Sequence, residues 1–394
     1  MIGLIIFTLV IAAGGGPNHD ATGFRYWNHP GAFAAYGPRK YFKSDSNYQV
    51  LTFPSLENGG GKFLGFWSVM SNAVFSYLGA ELVGITVGEA QNPRKAIPRA
   101  VKLTFFRIVF FYLVLILLLG MTVPYKSHLL QSAANKSKGT VSADASPFVV
   151  AAKLAGVNTV SHLINVCLLI FTFSAANSDL YIATRSLYSL AIEGNAPRIF
   201  SRTNDRGVPI YALGFSSLFC TSAYMSVKLG AFRTFQYFVA LVTIFGILTW
   251  ISILISHIYF VRARKAQGIP DTALAYISPF GVKGSMAALV FACIITFFNG
   301  WADFVHGLTT DGKFDHNSFI VDYLPIPIYL ALFFGYKIIM KTEVVKAVDA
   351  DLIGGKARID EDEAEFLAGE MRRKGGMVET KRERLYRLTL GNFF

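Results

Sequence analysis

Four residues within six positions, Ser76, Tyr77, Gly79 and Glu81, bring a hydroxyl, a phenol, a flexible backbone and a carboxylate into the middle of an apolar run, in FLGFWSVMSNAVFSYLGAELVGITVGEAQNPRKAIPRA from Phe63 to Ala100. At membrane depth each unsatisfied backbone group costs several kcal/mol unless protein or a water-filled cavity surrounds it, so a polar, glycine-containing interruption marks a candidate binding site. A helix broken at Gly79 would aim the free N–H groups of one half at the cavity, a seat for a carboxylate. The free carbonyls of the other half would suit an ammonium or a coupling ion. A zwitterionic amino acid fits both ends, although physics alone admits any small anion or zwitterion. Glu81 has three readings: a proton carrier, a brace that accepts backbone N–H bonds from the unwound segment, or a simple helix cap.

A second polar group, Ser174, Asn177 and Asp179 in SAANSDLYIATR, falls late in another apolar span. Small residues there allow close helix approach. Ser174 and Asn177 either contact a cation or substrate, or cap helices and bridge neighbours. Arg107, a few residues into its span, is expected to snorkel to the interface, and His162 and His257 read as interfacial. No HExxH, GxSxG, P-loop or ligand-spaced His or Cys cluster occurs, so the sequence supports no enzyme chemistry, metal or cofactor.

The elements that must position these groups follow from composition. The 394 residues are 53% hydrophobic and only 16% charged, which places the chain in the all-α polytopic membrane class. Cys167, Cys220 and Cys293 each sit in an apolar run and read as small packed side chains. The net charge of +12 is not a nucleic-acid footprint. The tail from Lys341 is electrically balanced, and the excess lies in loops between spans.

Met1 to Ala13 is apolar but reaches only about 20 Å against a hydrocarbon core of about 30 Å, too short to cross. Residues 14–62, rich in Gly, Pro, Asn and aromatics, read as an ordered loop. After the central span come apolar stretches at Leu103–Val123, Val160–Ile182, Ile210–Ser226, Phe235–Phe260, Met286–Trp301 and Phe319–Ile339, giving about seven full spans plus the short first one. Arg94, Lys95, Arg99 and Lys102, then Arg185, Arg198, Arg202 and Arg206, then Arg262, Arg264 and Lys265 put alternate loops and the tail on the cytoplasmic side. The sequon Asn135-Lys136-Ser137 falls in a loop that this topology puts outside. The division expected is a membrane domain over 1–339 and a cytoplasmic tail over 340–394, either solvating or a contact for regulatory proteins.

The runs FRYWNHPGAF, FSYLGAELVGITVGEAQNPRKAIPRA, SAANSDLYIATRSLYSLAIEGNAPRIFSRTNDRGVPIYAL and HIYFVRARKAQG resemble the fungal amino acid permeases of the amino acid–polyamine–organocation superfamily. The resemblance covers nearly everything from Met1 to about Tyr336. It implies two inverted five-helix repeats plus two helices, alternating access, residence in the plasma membrane, and amino acid transport driven by a proton gradient. Carried over by motif, Ser76, Tyr77, Leu78, Gly79 and Glu81 lie at the break of the family's sixth helix. Ser174 and Asn177 lie on its eighth, near the place where sodium-coupled relatives hold an ion. GGGPNHDATGFRYW and SPFVVAAKLAG look most like the branch carrying acidic amino acids. Met1 to Ala13 resembles the end of the family's fifth helix, so the first four helices are expected to be missing, and with them half of the substrate site and the competence to transport alone. The rival expectation is a non-transporting amino acid sensor or regulator on the same fold.

Overall fold

The computed structural model describes residues 1–17, 19–36, 40–44, 47–51, 59–89, 92–127, 129–130, 146–227, 231–274, 276–304, 314, 316–354 and 356–374. The sequon at Asn135 and the basic stretch KRERLYR of the tail lie outside them.

Long apolar runs become helices because only a helix satisfies every backbone group internally where water is absent. The chain opens with α1 (Ile2–Ala12) and passes through a loop with a kinked turn at Trp27–Gly31, where His29 is extended. It then forms a hairpin of β1 (Lys40–Ser44) and β2 (Asn47–Leu51), paired antiparallel with Lys40 opposite Leu51. This hairpin, in a stretch expected to be an ordered loop, is the departure from an all-helical chain among the described residues. The loop also packs: a side chain on Gly120 would meet the Trp27 ring at 3.1 Å, and the Tyr36 and Trp301 rings lie 5.1 Å apart.

Next come α2 (Gly59–Ser68) and α3 (Met70–Tyr77), a 3-10 segment Ala80–Glu89, and α4 (Pro93–Thr122). Helices α5 (Pro147–Leu154), α6 (Asn158–Ile192) and α7 (Ile210–Phe219) follow, the last continuing as a 3-10 turn through Val227. Then come α8 (Ala231–Ala266), α9 (Gly281–Phe297), the short α10 (Trp301–Phe304), α11 (His316–Tyr323), α12 (Pro325–Ile339) and the tail helix α13 (Lys356–Lys374).

Among the described residues, four helical stretches are long and apolar enough to cross a membrane: Pro93–Thr122, Thr159–Ile192, Thr234–Ala266 and His316–Ile339. Ile2–Ala12, Ile210–Met225 and Gly281–Phe297 are apolar but shorter. The 3-10 turn after α7 rises about 2 Å per residue, which lengthens Ile210–Val227 to about 30 Å. Helix α4 starts ten residues before the apolar run expected at Leu103, because Pro93 occupies a first-turn position and the Asn92 side chain accepts the Lys95 N–H. Helices α6 and α8 likewise overrun their apolar cores at both ends. Helix propensity does not stop where hydrophobicity does.

Three clusters hold the helices together. Val74 of α3 packs with Ile244, Ile247 and Leu248 of α8 and Ala292 and Ile295 of α9. Val123 packs with Val150 and Ala151, and Val149, Ala152 and Ile164 bring α5 against α6 and α1. Elsewhere large apolar side chains face outward, among them Phe106 and Leu113 of α4 and Leu169 and Phe173 of α6. This is the surface of a protein solvated by lipid tails, which are as apolar as leucine. The three cysteines are free.

Candidate functional site at a helix break

The central apolar stretch is interrupted in its middle, at the glycine where the sequence suggests a break. Helix α3 ends at Tyr77; Leu78 is extended (φ −60°, ψ 143°) and Gly79 takes φ +103°, a region open chiefly to glycine. The Leu78 N–H still reaches the carbonyls of Val74 and Phe75, at 3.2 and 3.3 Å. Beyond it the groups freed by the break find partners one by one. The Gly79 N–H donates to Glu81 Oε2 at 3.1 Å, and the Leu82 N–H donates to the Gly79 carbonyl at 3.1 Å. The Ser76 carbonyl accepts the Tyr112 hydroxyl of α4 at 2.7 Å. Trp250 of α8 donates its indole N–H to the same Glu81 oxygen, at 3.1 Å.

Glu81 accepts both bonds on one oxygen and so ties the unwound backbone to α8. The arrangement follows from a general rule: where water is excluded, each orphaned backbone group must be met by a side chain. Tyr77 stands half-exposed with its ring edge-on to Tyr112, centroids 4.9 Å apart. The Ser76 hydroxyl bonds back to the Asn72 carbonyl at 2.9 Å, which commits its proton and leaves its lone pairs open. Leu78 turns away into α8, where a side chain on Gly246 would come within 2.4 Å of its Cδ2.

Ser174 and Asn177 lie exposed on α6, as does Asp179. No hydrogen bond among the described residues joins them to Glu81 or Gly79. The structure thus gathers Ser76, Tyr77, Leu78, Gly79 and Glu81 at one break, while helix α6, which carries Ser174 and Asn177, packs against the 3-10 segment that follows it. Arg107 is exposed and lines a cavity with Met1, Ile2 and Tyr112. His257 faces Ser285, Nδ1 to Oγ 2.8 Å, and His162 is exposed.

One wall of the break opens on a cavity of about 570 Å³ lined by Met70, Val74, Tyr77, Phe105, Trp250 and Phe291, with Thr104 the other hydroxyl. Its walls are almost wholly apolar, so a zwitterion fits the polar face of the break and not this hollow.

Sequence reasoning missed the partners of the break. Tyr112 and Trp250 are polar-tipped aromatics inside apolar helices, a residue type that pairs its polar atom when buried, and that was the available signal. A further cross-link ties Ser71 of α3 to Asn299. It missed as well how the basic residues after the break are used. Arg94 pairs with Asp360 and, at 3.1 Å, with Glu363 on one face of α13. Gln267 at the end of α8 donates its amide to the carbonyls of Ala347, Val348 and Ala350, at 3.2, 3.2 and 2.7 Å. Arg264, expected as a loop charge, is buried and paired with Asp271.

Four helices long and apolar enough to cross a membrane, with an unwound and braced turn in the apolar stretch ahead of the first of them, mark a polytopic membrane protein. Residues 1–347 match the sequence profile of the amino acid permease family, and the chain belongs to that family. It is 43% identical to the dicarboxylic amino acid permease of Saccharomyces cerevisiae over 100% of this chain and 61% of that protein. It is 40% identical to an uncharacterized amino-acid permease of Schizosaccharomyces pombe, over 89% of this chain and 62% of the relative. Identity to the proline-specific permease of Emericella nidulans is 35%, over 91% and 61% of the two chains. The chain thus spans about three-fifths of the length of these relatives. These relatives are named as amino acid permeases.

Proposed function

We propose that this chain forms the part of a secondary amino acid transporter that carries the broken helix, working by alternating access. Ser76, Tyr77, the Leu78 backbone, Gly79 and Glu81 contribute the substrate site, with Ser174 and Asn177 contributing on the side of α6. The observation that carries the reading is the unwound turn at Leu78–Gly79, braced by Glu81 where an apolar helix would otherwise run through. A loosened turn at the membrane's midplane offers backbone dipoles to the ends of a zwitterion, and rocking one bundle about it exposes the site alternately to each side.

Finer parts of the proposal are proton symport, acidic amino acids as cargo, residence in the plasma membrane and a tail over 340–394 on the cytoplasmic side. The name of the yeast dicarboxylic relative supports the cargo, and the basic loops support the orientation. We propose also that Ile2–Ala12, Ile210–Met225 and Gly281–Phe297 join the four long spans and the broken helix in an inverted-repeat arrangement.

The test is uptake of radiolabelled aspartate, glutamate and neutral amino acids by permease-deficient cells. They would express the chain alone and joined to a segment supplying the four helices that the resemblance assigns ahead of α1. Acidified medium should raise uptake of the acidic substrates. No uptake of any amino acid by either form, with the protein at the cell surface, would sink the reading. Substrate binding without uptake would favour the sensor, for which the contact of α13 with Arg94 beside the break is an output ready to hand.

A further inference from the structure

The hollow beside the break does not end there. It shares Val101 and Phe105 with a second hollow of about 780 Å³ lined by Lys102, Phe106, Tyr276, Ile277 and Phe280. The two hollows adjoin at these side chains, and their linings together extend along α4 from the start of the apolar part of the helix, at Lys102, to Val109, and across to Trp250, a rise of about 10 Å along the helix. The walls are apolar throughout the inner part, and at the outer rim Phe106 is 66% and Phe280 78% exposed. The mouth carries a cation. The Lys102 ammonium stands 5.8 Å from the centre of the Tyr276 ring, and no carboxylate pairs with it among the described residues.

We infer that this groove is a binding site for an anionic glycerophospholipid, its headgroup on Lys102 and one acyl chain laid along α4 to Trp250. Three observations fix the occupant. The walls suit a hydrocarbon chain and reject a zwitterion, the single charge at the mouth is positive, and that charge lies at the end of the apolar run, where a headgroup would be. Basic pockets between membrane helices select anionic headgroups in this way. An annular lipid on a smooth helix face would gain no such enclosure. The inner end of the chain would touch Trp250, whose N–H holds Glu81, so the lipid would pack directly behind the brace of the break.

The chain has four tryptophans, which allows a direct test. The full chain with Trp27→Phe, Trp67→Phe and Trp301→Phe retains Trp250 as its only indole. Purified and exchanged into bilayers, it is titrated with phospholipids brominated on the acyl chain, which quench tryptophan on contact. Brominated phosphatidylserine should reach half-quenching at a membrane fraction about fivefold lower than brominated phosphatidylcholine, the preference expected from one basic residue at the membrane surface. Lys102→Gln should remove that preference while leaving the quenching itself. If the triple variant does not fold, the unsubstituted chain minus its Trp250→Phe variant gives the same signal by difference. Equal quenching by the two headgroups, a preference that survives Lys102→Gln, or quenching by a brominated sterol and not by either phospholipid would each overturn the assignment. The readout involves no transport, so it stands or falls apart from the proposed function.

Discussion

Two neighbouring stretches, the broken helix from Gly59 to Glu89 and the helix α4 that follows it, are both apolar, yet they solve the membrane's demand on the backbone in opposite ways. Helix α4 runs unbroken for 30 residues, meets its own backbone needs, and spends its side chains on lipid and on α1. The first stretch gives up helical bonds at Leu78 and Gly79 and borrows replacements from Glu81, Tyr112 and Trp250. The difference teaches where to look for function: a segment that must be braced from outside can be reshaped by whatever competes for the braces.

The comparison is most exposed to Glu81→Ala. Two donors, the Gly79 N–H and the Trp250 indole, would lose their shared acceptor, each at about 1–3 kcal/mol. Thermal unfolding in detergent should show the largest loss of any single change discussed, whereas Leu113→Ala on the lipid face of α4 should be nearly silent. Glu81→Gln keeps one acceptor oxygen and should cost much less. Equal losses for Ala and Gln would mean that the charge, and not the brace, is what counts.

Gly246→Ala should rank next. Its Cβ would press on Leu78, an overpacking worth about 1–3 kcal/mol, and it should disturb the break from the α8 side without touching a polar group. Tyr112→Phe removes the one hydroxyl that meets the Ser76 carbonyl, for about 0.5–1.5 kcal/mol, and should speed amide exchange at the turn more than along α4. At the end of the stretch, Arg94→Ala should change thermal unfolding little, since Asp360 and Arg94 are both substantially exposed. A charge exchange between Arg94 and Asp360 should restore protection of α13 from proteolysis if the pairing holds the tail.

How much of this was legible in the sequence differs between the same two regions. The break was, because a glycine followed by a carboxylate in an apolar run has few other uses. Its braces were not, because Tyr112 and Trp250 are far away in sequence and aromatics inside apolar helices commonly only pack. The seat of Arg94 on α13 was hidden for a like reason: a basic cluster beside a span already has an explanation in orientation, and long-range pairing leaves no local pattern. The hairpin at Lys40–Leu51 was read as loop because aromatic density overshadowed its short alternation. Helices α4, α6 and α8 extend past the apolar spans read from the sequence because hydropathy marks where lipid lies, not where helices stop.

The smallest effect expected belongs to the loop after α1. The Arg25 guanidinium, 2.7 Å from Asp20, holds that carboxyl below the usual carboxylate range. A depressed acid contributes its stabilisation above the range it has when unfolded and loses it as pH falls through its folded value. Both groups are exposed to solvent, so Asp20→Asn should lower stability slightly at neutral pH and flatten the acid limb of unfolding, the two proteins converging at low pH, and high salt should erase the difference.

The central claim, that the polar face of the break receives an amino acid, is met most directly by thiol protection. With Cys167, Cys220 and Cys293 replaced by Ser, a Ser76→Cys variant of the chain carrying its preceding helices is treated with a water-soluble thiol reagent, with and without acidic amino acids. The account predicts that substrate slows modification at position 76 and leaves Leu113→Cys on α4 unchanged. Modification at position 76 that proceeds at the same rate with every amino acid tested would contradict it.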